Sequence, residues 1–132
     1  MFKGNITAAT AAAADTNIPF GVVWNTNRNT AYNAANDTIV IREAGYYNVN
    51  VSLVVTGSTP TTVTAQLFAN GDAVADGIAS ADITATTGIQ TLNITDTIRV
   101  VPANNNAYLE LAVQLADAAT INAGNITVEK VR

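Results

Sequence analysis

Alternating apolar and polar residues dominate this chain, and this alternation restricts its fold more than any other feature. Between Tyr47 and Val55 every second residue is apolar, and apart from Val54 the residues between them are polar. Successive side chains of a β-strand point to opposite faces of a sheet, so the pattern predicts a strand buried on one face. The same period recurs over 63–67, 92–100, 109–115 and 126–128.

Turn signals separate these runs. Asn70-Gly71 follows one strand-like run directly, and this dipeptide is the strongest short signal for a β-hairpin, so 73–83 should pair back. Asp96 falls in register with apolar residues, which predicts a turn or bulge at 95–97. The Asn- and Thr-rich segment 25–36 predicts a long loop with a short strand at 31–33. The total of about eight to ten strands predicts an all-β, antiparallel sandwich.

The length of 132 residues allows one ordinary domain. The Ala-rich stretch from Ala8 to Ala14 could form only two marginal helical turns. We therefore expect residues 1–16 to be an N-terminal arm or lead-in segment, residues 18–24 to form the first strand, and residues 17–132 to form a single domain.

A short motif, Asn-Ile-Thr, occurs three times, beginning at Asn5, Asn93 and Asn125. Structural repeats recur at a fixed period, because each repeat is one unit that stacks on the next. The spacing of the three copies is unequal, so the sequence predicts no structural repeat.

The charge balance disfavours two classes of partner. The chain carries six basic and ten acidic residues, for a net charge of −4, and the basic residues are scattered. Nucleic-acid binders carry clustered Lys and Arg, and anionic membrane surfaces select the same residues, so we expect neither partner. Charged residues make up 12% of the chain and hydrophobic residues 48%. The resulting neutral surface is of the kind that subunits bury against each other.

The residues needed for common catalytic sites are missing. The sequence has no His and no Cys, which removes the usual triads, thiol nucleophiles and thiolate metal sites. Nearly all the carboxylates fall at predicted turns or on polar strand faces, so we expect no enzymatic activity and no cofactor. Calcium is the one metal to consider, because it binds carboxylate and carbonyl oxygens. Asp72 with Asp76, or Asp96 with loop carbonyls, would supply its ligands.

Several aromatic residues are candidates for binding. Phe68 and Tyr108 fall on the polar faces of their strands, and an aromatic side chain on a face expected to be solvated often marks a subunit interface. Burial within the sandwich is the alternative for both. Tyr46 is a third candidate for a subunit interface.

The order of these features resembles the C1q/TNF-like jelly roll. The similarity rests on four pieces: Tyr32-Asn33 with 38–41, Gly45-Tyr46-Tyr47 with the strand that follows, 63–71 with its Asn-Gly turn, and 92–101 followed by 108–113. It spans about residues 18–131, making 17–132 a jelly-roll domain. The resemblance implies a homotrimer, because the family assembles around a threefold axis. The compact, stalkless form is similar to virion proteins of tailed bacteriophages.

Two functions follow as hypotheses. The first is a structural protein of a bacteriophage virion: a trimeric capsid decoration or head/tail fibre domain, assembled in the host bacterial cytoplasm. Its partners would be copies of itself and the major capsid protein or other virion proteins. The alternative is an adhesin module that binds a glycan or receptor on the host surface. Loops 25–37 and 102–107 would then form the site, with Trp24 or Tyr32 stacking on a sugar ring and Asn104 and Asn105 hydrogen-bonding its hydroxyls.

Overall fold

Two antiparallel β-sheets pack face to face in this chain. The computed structural model describes residues 1–26, 29–56, 61–83, 88–103, 106–107 and 109–131. These residues contain no helix, and therefore none long and apolar enough to cross a bilayer. The predicted all-β, antiparallel sandwich is confirmed.

The first sheet contains the two ends of the chain. Its strands are β1 (Phe2–Ile6), β2 (Thr10–Ala12), β3 (Gly21–Asn25), β6 (Gly45–Thr56), β9 (Ile89–Val100) and β13 (Ala119–Lys130). They are ordered β3-β1-β13-β6-β9, and β2 pairs with the beginning of β13. The last strand therefore lies between the first strand and β6.

The second sheet supplies the other half of the core. Its strands are β4 (Thr30–Asn33), β5 (Thr38–Ile41), β7 (Thr61–Ala69), β8 (Asp72–Ile83) and β12 (Leu109–Leu115), ordered β4-β5-β12-β7-β8. A separate two-residue ladder joins β10 (Pro102–Ala103) to β11 (Asn106–Ala107).

The apolar side chains that alternate along β6 are buried on one face of the strand, as predicted. Tyr47, Val49, Val51, Leu53 and Val55 are each no more than 2% exposed. Burial of a large apolar side chain contributes roughly 1.5–3 kcal/mol, so this face of β6 anchors the sheet. The hydroxyl of Tyr47 donates to the Glu43 carbonyl at 2.8 Å, which satisfies its one donor inside the core.

The Asn70-Gly71 turn forms the expected hairpin between β7 and β8. Both residues have positive φ, 52° and 83°, as a type I′ turn requires. Asn70 also connects the hairpin to β12. Its amide N–H donates to the Glu110 carbonyl, and its side-chain oxygen accepts from the Glu110 amide, each at 2.8 Å. The hairpin prediction and the pairing of 73–83 are confirmed.

The N-terminal segment is part of the first sheet, which corrects the expectation of an arm over residues 1–16. Phe2–Ile6 pairs with β13 on one side and β3 on the other. Phe2 is fully buried and Ile6 is 7% exposed. The strand was missed because Gly4 occupies the inward position between them, leaving only two apolar residues to signal the period.

Segment 25–36 is not a long loop. Asn25 ends β3, and Thr30–Asn33 forms β4, so the short strand expected at 31–33 is present within a slightly longer one. The expected first strand over 18–24 begins as a strand only at Gly21, although Ile18 and Phe20 are buried ahead of it. Short edge strands need few apolar residues, so Asn and Thr do not exclude them.

Asp96 does not produce the expected turn or bulge at 95–97. It pairs with Val49 in an unbroken β9 and faces inward, half-buried. Because β9 is at the edge of its sheet, an inward carboxylate there still reaches solvent. Its Oδ1 accepts a hydrogen bond from the Thr97 amide at 2.8 Å.

We expect replacement of Phe2 by Ala to lower the free energy of unfolding by about 3–5 kcal/mol, because it opens a cavity in the core. Chemical denaturation would measure this loss. Val23→Ala is the control, since Val23 lies on the adjacent strand and is 42% exposed. A loss for Phe2→Ala as small as that of the control would show that the N-terminal strand contributes little to the fold.

Candidate functional site

The aromatic candidates for a subunit interface lie on opposite sides of the sandwich. Tyr46 is 41% exposed on the outer face of the first sheet, with the Arg99 guanidinium 5.9 Å from its ring centroid. Phe68 is half-buried on the outer face of the second sheet, where it pairs with Ala112 and Ala73. One flat interface can therefore include Tyr46 or Phe68 but not both. Tyr108 lies outside the described residues.

The candidates for a ligand loop are also separated. Trp24 is 46% exposed on β3, and the Lys3 ammonium lies 5.0 Å from its ring centroid. Tyr32 instead turns its ring toward the core, where it stacks on Phe2 at 6.4 Å between centroids with an interplanar angle of 16°. Asn104 and Asn105 lie outside the described residues.

The hydroxyl of Tyr32 connects three parts of the chain. It accepts from the Phe20 amide at 3.0 Å and donates to Asp37 Oδ1 at 2.9 Å. Burial is the main cause that raises the pKa of Tyr32 from 10.0 to about 12. The hydrogen bond from the Phe20 amide lowers it, and the hydrogen bond and charge of Asp37 add to the rise. Asp37 has a φ of 56°, a left-handed conformation that Asp tolerates better than most residues. The hydrogen bond fixes the β4–β5 turn against the segment that precedes β3.

A wide cleft of about 440 Å³ opens beside this hydrogen bond. We call it the tyrosine cleft. Its polar lining consists of Asn5, Thr7, Thr10, Tyr32 and Asp37, and its apolar lining comes from Ile6, Ala8, Pro19, Phe20 and Ala34, with Gly21 between them. Sequence reasoning found Tyr32 but not the cleft, because its walls come from β1, the segment before β3 and the β4–β5 turn.

The outer face of the first sheet is a regular array of Asn and Thr, which we call the Asn/Thr face. One row across the strands consists of Asn5, Asn125, Ser52 and Asn93, and the next row consists of Lys3, Thr127, Asn50 and Thr95. Neighbours in a row are about 4.8 Å apart, and rows on one face are about 6.8 Å apart. Beyond the second row, Thr97 Oγ1 donates to Asn48 Oδ1 at 2.8 Å.

The three Asn-Ile-Thr motifs begin in one row of this face, but they are not copies of one structural unit, since β1 runs antiparallel to β13. Asn5 pairs with Asn125, Asn125 with Ser52, and Ser52 with Asn93. Their isoleucines, Ile6, Ile126 and Ile94, point inward into the core. Sheet register, rather than regular spacing along the chain, brings the three asparagines into one row.

Little charge lies on the Asn/Thr face. Along β1, β6, β9 and β13, all fully described, the outward charged side chains are Lys3, Arg99 and Glu129. They lie toward the end where β1 begins. In the row that begins with Asn5, and in the parts of these four strands that lie farther from the beginning of β1, the outward side chains are uncharged. This end of the face can therefore be buried without removing an ion from water, which is expensive.

The described residues contain no group of three or more acidic side chains that could hold a metal ion. Asp72 begins β8, Asp76 lies further along the same strand, and Asp96 lies on β9 in the other sheet. Calcium binding by any of them stays a prediction.

Comparison with known proteins places the fold. No protein-family model and no curated protein matches the sequence. Among solved structures, the chain is similar to the Eiger TNF of S. frugiperda, with a TM-score of 0.76 at 10% identity over 99% of this chain and 93% of that one. It is similar to murine APRIL, with a TM-score of 0.69 at 9% identity over 97% and 98%. It is also similar to the PRD1 vertex protein P5, with a TM-score of 0.63 at 16% identity over 99% and 96%. The chain has a TNF-like jelly-roll fold, and one neighbour is a phage protein.

The stability of the fold should depend on the ionisation of Tyr32. Its pKa is raised from 10.0 to about 12, so the contribution of its neutral hydroxyl is fully present below pH 10 and is lost as the pH rises through 12. We expect Tyr32→Phe to be less stable than the wild type at pH 8, with the difference shrinking as the pH approaches 12. Chemical denaturation of both proteins at pH 8 and near pH 12 measures this difference in the free energy of unfolding. A difference that does not change with pH would contradict the raised pKa of Tyr32.

Proposed function

We propose that the chain is a non-enzymatic structural protein of a bacteriophage virion, a trimeric capsid decoration or head/tail fibre domain. The observation that carries the proposal is the Asn/Thr face, a surface across four strands of a TNF-like jelly roll with few charged side chains, Lys3, Arg99 and Glu129. The similarity to a phage vertex protein supports the virion as its location. The partners would be copies of itself and the major capsid protein or other virion proteins, joined during assembly in the host cytoplasm.

The Asn/Thr face is suited to self-association for two physical reasons. Asn and Thr are short, so their side chains lose little rotamer freedom on burial compared with Lys or Arg. Each carries hydrogen-bonding groups that a second copy of the same face could satisfy, as buried polar groups require. Apolar side chains on the same sheet, Ile89 at 62% exposure and Tyr46 at 41%, would add buried area at its margins.

Three copies rather than two are proposed from the resemblance to C1q/TNF-like domains, which assemble around a threefold axis. An interface on the first sheet would leave the outer face of the second sheet, with Phe68, directed away from the axis. Because residues 2–6 form a strand of the first sheet, docking on a capsid would use this outward side rather than an N-terminal arm.

Solution mass tests the assembly. We expect light scattering to give three times the chain mass of 13.7 kDa, or about 41 kDa, at micromolar concentration. Asn50→Lys should convert the protein to a monomer, because it places a charge in the middle of the Asn/Thr face. Ser80→Lys is the matched control, since Ser80 is an exposed strand position in the second sheet, and it should stay trimeric.

A monomeric wild-type protein would overturn the trimer, and a trimeric Asn50→Lys variant would overturn the choice of face. Mass spectrometry of purified phage particles tests the location. The chain should be present in a copy number divisible by three, and its absence from the particles would remove the virion role.

A further inference from the structure

We propose that the tyrosine cleft binds a neutral saccharide. The inference goes beyond the structural role above, and the two surfaces share Asn5, which begins one row of the Asn/Thr face and also lines the cleft. The cleft lies where β1 ends, between the segment before β3 and the β4–β5 turn, and at about 440 Å³ it falls within the usual range of small-molecule sites. It overlaps the site expected from loops 25–37 and 102–107 at Tyr32, Ala34 and Asp37, and its remaining lining comes from residues 5–10 and 19–21.

The polar groups of the cleft match a ligand rich in hydroxyls. Asp37 uses Oδ1 to accept from Tyr32, but an ionised carboxylate has about four lone-pair sites, so acceptor capacity is left for a ligand. The Asn5 amide and the Thr7 hydroxyl can both donate and accept, whereas the Thr10 hydroxyl donates to the Ala8 carbonyl at 3.0 Å and keeps its acceptor capacity. Sugar hydroxyls also donate and accept, so neighbouring hydroxyls on one ring could pair with these groups together.

The apolar groups would contact the C–H faces of a sugar ring. Phe20 and Ile6 are 5% and 7% exposed and form the buried part of the lining. Pro19, Ala8 and Ala34 are exposed around it. A small number of placed polar groups among apolar ones is the usual composition of a small-molecule site.

The charge of the cleft selects against anions. Asp37 is the one charged residue among those that line it, and no Lys or Arg is among them. A phosphate or a uronic acid would meet the Asp37 carboxylate without a compensating cation, and like charges at short range repel. The ligand class that fits is therefore neutral and hydroxyl-rich.

The site is held in place before any ligand arrives. The Tyr32 hydroxyl fixes Asp37 to the Phe20 backbone, so the carboxylate needs no reorientation to meet a ligand. Gly21 leaves space beside Asn5, because a Cβ added there would lie 3.4 Å from the Asn5 carbonyl oxygen and 3.9 Å from its side-chain oxygen. A Cβ at position 21 would therefore be in ordinary van der Waals contact with Asn5.

The test is titration of the full chain with the methyl glycosides of glucose, galactose and N-acetylglucosamine, followed by ¹H–¹⁵N NMR. We expect at least one to bind with a dissociation constant of about 1 mM or tighter, shifting amide signals of residues 5–10, 19–21 and 32–37. Methyl glucuronide, which is anionic, should bind more weakly than the neutral glycosides.

Two variants assign the binding to the cleft. Asp37→Asn preserves the shape and the acceptor for Tyr32, and should weaken binding about tenfold because charge-assisted hydrogen bonds are roughly twice as strong as neutral ones. Gly21→Val should abolish it by filling the space beside Asn5. Asp82→Asn is the matched control and should bind as the wild type does, since Asp82 also accepts from one hydroxyl, that of Thr62 at 2.7 Å, but lies on β8.

No shift with any of the three neutral glycosides at 50 mM, on the order of fifty times the expected dissociation constant, would overturn the proposal. So would shifts confined to other residues, or wild-type binding by both cleft variants. The solution mass of the same samples reports on the trimer separately, so a failure of saccharide binding and a failure of assembly are distinct results.

Discussion

The position of the last strand is the constraint on which the rest of the structure depends. β13 pairs with β1 along one edge and with β6 along the other, so the first sheet is continuous only when both ends of the chain are in place. The pairs between β1 and β13 join residues more than a hundred positions apart, and such contacts form slowly because a long loop must close first. Closing this loop costs conformational entropy. Burial of apolar side chains at the two ends of the chain offsets that cost, and these side chains are Phe2, Ile126 and Val128.

The alternation of residues predicted the fold where strands are long and buried on one face. β6, β7, β9 and β12 each show this pattern, and the Asn70-Gly71 turn placed β8 beside β7. The pattern failed where strands are short or lie at an edge. Gly4 interrupted the signal of β1, and Asp96 resembled a break because an edge strand tolerates an inward carboxylate. Burial at such positions depends on neighbouring strands, which a single segment of sequence does not specify.

The candidate sites could be predicted only in part, for a related reason. The sequence identified Tyr32, Tyr46 and Phe68 as aromatic residues worth attention, but it did not show that Tyr46 and Phe68 lie on opposite faces. The Asn/Thr face and the tyrosine cleft were both missed. Each combines residues from distant parts of the chain, and sheet register, rather than spacing, brings them together.

The repeated Asn-Ile-Thr motif has a consequence for how the first sheet avoids misalignment. If β13 slipped by two residues against β6, Thr127 would take the place of Asn125 opposite Ser52, and the outer face would change little. The inner face opposes the slip. Gly124 lies opposite Leu53, where an added Cβ would come within 2.8 Å of the Leu53 Cδ2 atom and 3.1 Å of the Ser52 carbonyl oxygen, so Ile126 at that position would force the packed Leu53 side chain to move. Gly124 thus helps to fix the register of β13 against β6, which the uniform Asn/Thr face does not specify.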